Sequence, residues 1–243
     1  MKNEESPQTS FATTRWSLVI AAGGNQHAEA RLAFTKLCET YWIPLYAFAL
    51  RRVNNVDDAQ DLTQAFFTEL LEKNSVGVAD AGRGRFRAFL VTAFKHFMSK
   101  ERDKGRAQKR GGGRTILSLD FSQADSSLRI EPTQSQTAEQ LYDQEWAITL
   151  LRQVMDGLRA EFVAKRKVHQ FEVLRVFLGG EPPSITYAQA AMTLGMTEST
   201  AKKAASRLRH RYRQLLRDEI GQTVDGEQTI DDEIRCLFTV LAK

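Results

Sequence analysis

Cysteine is scarce in this chain of 243 residues, and its two copies, Cys38 and Cys236, lie far apart. Neither has metal-ligand spacing with a neighbour, so the sequence indicates neither a disulfide scaffold nor a zinc site, and we expect a reducing, cytoplasmic location. The polar N-terminus lacks the apolar core of a signal peptide. The longest apolar stretch, residues 41–50, contains Pro44 and is too short to span a bilayer, so no membrane association is expected.

Groups that commonly carry catalysis are also sparse. The four histidines stand singly, and no Ser/His/Asp, Cys/His or paired-carboxylate arrangement can be argued. The glycine triplet at residues 111–113 lacks the Gly-Lys-Ser/Thr that a phosphate-binding loop needs. We therefore expect no enzymatic activity, no catalytic residue, no cofactor and no metal. Strand patterns are missing as well, so the expected fold class is all-α.

Charge is concentrated locally, since the net charge is only +4. Between Lys202 and Arg217 there are seven cations and no acid. Between Arg83 and Arg114 there are eleven cations against two acids, a local charge of +9. Such clusters indicate two defined surfaces for an anionic partner, and nucleic acid is the leading candidate.

Residues 184–217 have the pattern of a helix-turn-helix. A short helix over about 186–194 meets Gly195, which readily takes the left-handed conformation that closes a helix. Thr197 is the expected cap of a second helix that begins at about Glu198. Its apolar stripe and its basic residues fall on opposite sides, as in a DNA recognition helix; the alternative is a solvated basic helix. The predicted packing stripe is Ala201, Ala205, Leu208, Tyr212 and Leu215.

Helical periodicity predicts six further helices, over about 28–53, 57–71, 85–106, 138–158, 168–178 and 230–241. Pro44 is a potential kink or break in the first. In the second, Asp57 or Asp58 is the expected cap, and Thr68 is expected to face outward. Phe67 and Leu71 lie at the edge of its apolar stripe, where they form part of a protein-docking surface or join the core. Phenylalanines of the third helix, at residues 86, 89, 94 and 97, fit a core better than stacking on bases.

Residues 111–137 form a Ser-, Gln- and Asp-rich stretch that is longer than most connections within a compact domain. It predicts a flexible linker between two small helical domains. The expected organisation is an N-terminal extension at 1–26, a first domain at 27–110, the linker at 111–137, a second domain at 138–221 and an amphipathic tail at 222–243. The apolar residues of the tail need a partner surface, either in this chain or in another protein.

Three motifs together resemble the bacterial sigma-70 family, specifically its extracytoplasmic-function type. DDAQDLTQAFF, ending at Phe67, is similar to the D-A-E-D-L-x-Q-x-x-F of region 2.2, with Gln60 in place of the usual Glu. FRAFL at residues 86–90 is similar to F-R-A-W-L, with Phe89 in place of Trp, and His96 stands where Asn is common. The helix-turn-helix is similar to that of region 4. The resemblance covers about residues 30–110 and 141–220.

This resemblance implies a dissociable RNA polymerase subunit that directs promoter recognition and transcription initiation. Its two domains would be sigma regions 2 and 4, and its partners would be the β′ clamp of core polymerase, promoter DNA and a regulator such as an anti-sigma factor. The implied polymerase-binding residues are Asp58, Asp61, Gln64 and Phe67. The implied contacts to the minus-10 element are Arg83, Arg85, Lys95, His96 and Arg102. The implied contacts to the minus-35 element are Thr197, Ser199, Thr200, Lys202, Lys203, Ser206, Arg207, Arg209 and Arg213.

Two other functions remain open on the sequence. A free-standing helix-turn-helix regulator would bind a palindrome as a dimer and ignore polymerase. A protein-binding adaptor would leave DNA untouched, which the basic second helix disfavours.

Overall fold

The computed structural model describes residues 27–72, 86–107, 136–179, 182–221 and 227–242, and all regular structure within these ranges is helical. The predicted all-α class is therefore confirmed for this part of the chain. None of its helices is both long and apolar enough to cross a membrane. The helices are α1 (His27–Val53), α2 (Val56–Glu72), α3 (Phe86–Ala107), α4 (Ala138–Ala164), α5 (Val168–Leu174), α6 (Tyr187–Leu194), α7 (Glu198–Gly221) and α8 (Glu227–Leu241), with a 3-10 turn, Arg175–Phe177, after α5.

Side chains at the helix starts satisfy backbone N–H groups that have no partner within the helix. Thr137 caps α4 by accepting from the N–H of Gln140, whose side chain accepts from the N–H of Thr137 in return. Removing this reciprocal pair of hydrogen bonds would lower the stability of the protein by about 1 kcal/mol. At α2, the prediction of Asp57 or Asp58 as cap was wrong, because Asn55 Oδ1 accepts from the N–H of Asp58 at 2.9 Å.

Two helices run further than the periodicity predicted, and Pro44 does not end α1. Helix α4 continues through Gly157 to Ala164, and α8 begins at Glu227, three residues before the predicted start. Pro44 lies inside α1, which stays helical on both sides of it. Long helices tolerate such residues when packing on neighbouring helices outweighs the local propensity.

One hydrophobic cluster includes residues from every helix from α1 to α8. Helix α1 packs along both α2 and α4, and it places Tyr41, Tyr46 and Phe48 in this cluster with no exposed surface. Helix α8 packs on α4 and α7 and buries Leu237 completely. The partner surface that the tail requires is thus in its own chain. The division into two domains with a flexible linker stays a prediction, and helices from both predicted domains contact each other here.

Candidate nucleic-acid interface

The turn between α6 and α7 fixes the direction in which α7 leaves the core. Gly195 takes the left-handed conformation, with φ 62° and ψ 37°, and its N–H bonds to Met192 O at 3.2 Å. The next residue, Met196, bonds back to Ala191 O at 3.0 Å. Thr197 Oγ1 then accepts from the N–H of Thr200 at 3.2 Å, which confirms Thr197 as the cap of α7. The backbone hydrogen bonds of Gly195 and Met196 end α6, and the Thr197 cap starts α7, all within three residues.

Helix α7 has a buried face and an exposed basic face, as its periodicity predicted. Ala201 and Ala205 have no exposed surface and Leu208 is 2% exposed, because this face packs on α6 and α4. Leu215 is buried further along, and Tyr212 is half-buried. The exposed side chains of the opposite face are Ser199, Thr200, Lys202, Lys203, Ser206, Arg207, His210 and Arg213.

Some cations of α7 form an ion pair or a hydrogen bond with another side chain, and others have no acidic partner among the described residues. Within the described part of the chain, no acid lies within ion-pair distance of Lys203, Arg207 or Arg213. Lys202 pairs with Glu198 at 2.6 Å, one turn earlier. Arg209 is half-buried and donates to the hydroxyl of Tyr187 at 3.1 Å. Lys203, Arg207 and Arg213 are therefore the predicted cations of α7 with neither an ion pair nor a side-chain hydrogen bond among the described residues.

Two more cations of α7 attach it to its neighbours. Arg211 contacts Glu161 of α4 through Nε and Nη2 at 2.6–3.1 Å, and this hydrogen bond is the largest cause of the raised pKa of Arg211. Arg217 pairs with Asp231 of α8. These two guanidinium groups stabilise the placement of α7, so the run of cations in the sequence overstates the charge presented outward.

Tyr187, at the first position of α6, was not among the predicted site residues. Its ring stacks on Phe177 with centroids 4.3 Å apart and planes 8° apart. Its hydroxyl accepts from Arg209, and Lys202 Nζ lies 5.8 Å from its ring centroid. Tyr187 thus contacts one cation in the first turn of α7 and a second one further along the helix. Only its location at the first turn of the helix-turn-helix gave a signal for this role.

Helix α3, the second basic segment, turns its phenylalanines mainly inward. Phe86, Phe94 and Phe97 are at most 5% exposed, and Phe89 is half-buried with its ring stacked 5.9 Å from that of Phe86. The expectation that these rings fit a core better than a base-stacking surface is confirmed for the three buried ones.

Of the predicted minus-10 residues on α3, one forms an ion pair and two are exposed. Lys95 pairs with Glu139 of α4 at 2.8 Å, and Arg52 of α1 pairs with the same oxygen at 2.9 Å. The hydrogen bond from Lys95 is the main reason that the pKa of Glu139 is lowered. His96 and Arg102 are exposed. Arg83 and Arg85 lie outside the described residues.

Helix α2 carries the predicted polymerase-binding residues, and one of them belongs to the core. Asp58 and Asp61 are exposed and Gln64 is half-buried. Phe67 is 2% exposed, and its ring packs edge-on against Phe34 at 6.3 Å. Its predicted place on a docking surface is therefore corrected: the ring supports that surface from beneath.

The prediction that Thr68 faces outward was wrong. Thr68 is 5% exposed, and its hydroxyl donates to Gln64 O at 3.0 Å. Helix α2 packs against both α1 and α3, so its buried face is wider than a single stripe. Leu71, in contrast, is 37% exposed.

An open groove of about 760 Å³ lies between α1, α2 and α3. It brings Asp58 and Asp61 of the predicted polymerase surface together with Lys95 and Arg102 of the predicted minus-10 surface. Phe48 and Leu62 contribute apolar wall. Residues assigned to two partners therefore border a single depression of mixed charge.

Among the described residues, no group of three or more His, Cys, Asp or Glu side chains is arranged to hold a metal ion. Burial raises the pKa of the Cys38 thiol to about 12, which makes that thiol unreactive at neutral pH. Comparison with known proteins identified no matching family model, no matching curated protein and no matching solved structure.

Proposed function

We propose that this protein is a sigma-type subunit of bacterial RNA polymerase that binds promoter DNA through α7. The observation that carries the proposal is the exposed face of α7, on which Lys203, Arg207 and Arg213 have no acidic partner among the described residues while the opposite face is packed. A helix of this kind, presented by a tight turn from a preceding helix, suits the major groove.

The chemistry of this face separates into base-reading and phosphate-holding positions. Residues in the first turns of a recognition helix reach base edges, and Lys and Arg donate to guanine there. Lys202, Lys203, Ser206 and Arg207 hold such positions. Thr197, Arg209 and Arg213 flank them, where hydroxyl and guanidinium groups suit phosphate oxygens. Ser199 and Thr200 complete the exposed first turn.

The proposal of a polymerase subunit, as distinct from a free-standing regulator, is supported by α2 and α3. Asp58, Asp61 and Gln64 form an acidic and amide face that suits a basic protein partner, and the neighbouring α3 is cationic. Two nucleic-acid surfaces in one chain increase overall affinity, because binding at one raises the effective concentration of the other. Two of the three sigma-like motifs lie on these helices, and the third lies on α6 and α7.

Co-elution with bacterial core RNA polymerase tests the proposal. We expect wild-type protein to co-elute and the double variant Asp61→Arg/Gln64→Ala to be lost from the complex, since both positions are accessible on α2. Asp156→Arg is the matched control, because it makes the same charge change at an exposed position on α4. Co-elution of the double variant at the wild-type level would contradict the assigned surface. Folded wild-type protein that ignores polymerase and binds a palindrome as a dimer would establish the free-standing regulator instead.

A further inference from the structure

A single carboxylate stands among the cations of α7. Glu198, the first residue of this helix, is the only acid between Gly195 and Arg217 in the sequence. Thr197 caps the helix, because its Oγ1 accepts from the N–H of Thr200, so the Glu198 side chain is not needed for that role. It is exposed at the end of α7 that, in a recognition helix, reaches base edges. An acid at this place repels phosphates, so its presence on a DNA-binding helix needs a reason.

Glu198 and Lys202 form an ion pair that also contacts α6. Glu198 Oε1 lies 2.6 Å from Lys202 Nζ, one turn along α7, and the two side chains are 49% and 56% exposed. Lys202 Nζ also lies 5.8 Å from the ring centroid of Tyr187, within the range of a cation–π contact. The Tyr187 ring stacks on Phe177, so the ammonium group lies between a packed ring of α6 and a carboxylate of α7. The pair thus presents one acceptor and one donor side by side.

Each base pair presents a matching arrangement in the major groove. At the middle of the pair, a keto oxygen of guanine or thymine accepts hydrogen bonds, and an amino group of cytosine or adenine donates them. These two base atoms are joined by a Watson–Crick hydrogen bond and lie about 2.9 Å apart. The 2.6 Å between Glu198 Oε1 and Lys202 Nζ is close to that spacing. Lys202 can therefore donate to the keto oxygen while Glu198 accepts from the amino group of the same base pair.

The order of donor and acceptor along α7 determines which orientation of the base pair fits. The keto base must lie on the side of Lys202, and the amino base must lie on the side of Glu198. The reversed pair places an amino group against the ammonium and a keto oxygen against the carboxylate, and both contacts are repulsive. Of the two orientations that fit, G·C offers Lys202 a second acceptor, guanine N7, whereas T·A places a thymine methyl group there. The ion pair therefore favours G·C over T·A and disfavours C·G and A·T.

We infer that Glu198 and Lys202 together recognise one G·C base pair in a single orientation, and that Glu198 is a specificity-determining residue of the α7 surface. The inference rests on the proposed function and adds to it one base pair of the DNA sequence that α7 binds. At a base pair of the opposite orientation, the carboxylate lies against a keto oxygen and has no amino group to accept from. Glu198 therefore acts mainly against incorrect sites, as repulsive contacts do in other specific interfaces.

Exchanging the two charges tests the inference. The variant Glu198→Lys/Lys202→Glu keeps an ion pair across one turn and keeps the net charge, but it reverses donor and acceptor. Site selection from duplexes with a randomised segment of about 12 base pairs, slightly more than one turn of DNA, measures the preference. The selection uses the full-length chain, both alone and bound to core polymerase. We expect wild type to select G·C at one position of the consensus, and the exchanged variant to select C·G there with the other positions unchanged.

Asp232→Arg/Arg235→Asp is the matched control, because it exchanges the charges of an exposed ion pair within α8, at 2.8 Å. It should select the wild-type consensus. Glu198→Gln is a second variant, since an amide both donates and accepts. Wild type should prefer the correct orientation of this base pair by about tenfold in Kd, and Glu198→Gln by less than about twofold. Far-UV circular dichroism verifies folding of each variant.

An unchanged consensus in the folded exchanged variant would overturn the inference, because it would leave the ion pair with a structural role only. If the exchanged variant does not fold, the comparison of wild type with Glu198→Gln decides, and a preference that Glu198→Gln retains in full would overturn the inference. Failure of the proposed function has a different signature: wild type would select no consensus, either alone or with core polymerase.

Discussion

Helices α3 and α7 have similar cationic sequences but opposite relations to the rest of the chain. On α7, Lys203 and Arg207 are exposed and lie outside ion-pair distance of any described acid. On α3, Arg87 is buried against Glu233, and Lys95 is paired with Glu139. The proposed minus-35 surface is ready to bind, whereas part of the proposed minus-10 surface is already occupied by the chain's own carboxylates.

The number of cations in a sequence therefore gives the largest positive charge that a helix can present to DNA. It does not show how many of those cations already pair with carboxylates of the same chain. DNA that binds α7 displaces water and counterions from Lys203 and Arg207. A phosphate that binds Lys95 must displace Glu139, a charged partner at hydrogen-bond distance. The same charge therefore has different affinity for DNA at the two sites, and four changes to the chain test this contrast.

The largest effect is expected from Arg87→Met, which removes the buried cation that pairs with Glu233 and Asp143. The buried carboxylate of Glu233 would lose this compensating charge, and the free energy of unfolding should fall by about 3–5 kcal/mol. For a chain of this size, that corresponds to a decrease in Tm of roughly 10 °C. Arg213→Met, at an exposed site of α7 with no ion pair among the described residues, should change stability by less than about 0.5 kcal/mol. Equal losses in the two variants would remove the contrast.

The next effect concerns DNA affinity. Lys203→Ala/Arg207→Ala should weaken binding to a minus-35 duplex by about 100-fold, since each lost hydrogen bond to a charged group is worth about 1.5 kcal/mol. Because both cations are assigned to base edges, most of the loss should depend on the minus-35 sequence, and the slope of log affinity against log salt should fall by less than the roughly 1.8 expected for two lost phosphate contacts. Titrations at several salt concentrations measure both quantities.

Arg166→Ala/Lys167→Ala is the control, because it removes two exposed cations after α4. It should leave both the affinity and the salt slope close to wild type. An equal loss in the control would mean that net charge, and not the face of α7, determines binding.

A smaller effect is expected from Gly195→Ala, which tests whether the turn alone presents α7. Nothing lies within 4 Å of an added Cβ at Gly195, so the cost comes from its φ of +62° and should be about 1 kcal/mol. Gly157→Ala, inside α4, also meets no atom within 4 Å and should stabilise the protein by up to about 1 kcal/mol. Thermal unfolding of both variants measures the opposite signs, and a gain at Gly195 would contradict the assigned strain.

The smallest effect is the acid dependence of the Lys95–Glu139 pair. Because the pKa of Glu139 is lowered in the folded chain, the pair stabilises the protein above the unfolded-state value, near 4.5, and this stability is lost as the pH falls through the lowered folded-state pKa. The pair is half-exposed, so its contribution is screened to below about 1 kcal/mol.

Denaturant unfolding of wild type and Glu139→Gln at neutral and acidic pH measures this contribution. The difference between the two proteins should vanish at acidic pH. A difference that does not depend on pH would show that the carboxylate charge is not what stabilises the contact.

Local sequence patterns predicted the helices and the turn well. Periodicity located α1 and α7 to within a few residues, because packing on one face repeats every three to four positions. Gly195 and Thr197 predicted the turn before α7, because their roles depend on backbone geometry that nearby residues determine.

Contacts between distant segments were beyond these patterns. Phe67 and Thr68 are buried because other helices pack on two sides of α2. The periodicity of one helix does not reveal how many helices pack against it. Several polar residues lie near the start of α2. Asn55 is the one that caps the helix, because it lies one residue before the first helical residue. Arg87 lies 56 residues from Asp143 and 146 from Glu233, so no local signal announced the pairing.

The stacking of Arg87 on Trp146 also gives the protein an internal optical probe. The Trp146 indole is 2% exposed and lies against a guanidinium 4.7 Å away. A variant that separates α3 from α4 removes a charged neighbour from this indole and brings it into contact with water, and both changes alter the energy and yield of its emission. The Trp146 contribution to intrinsic fluorescence can thus follow this contact without any attached label.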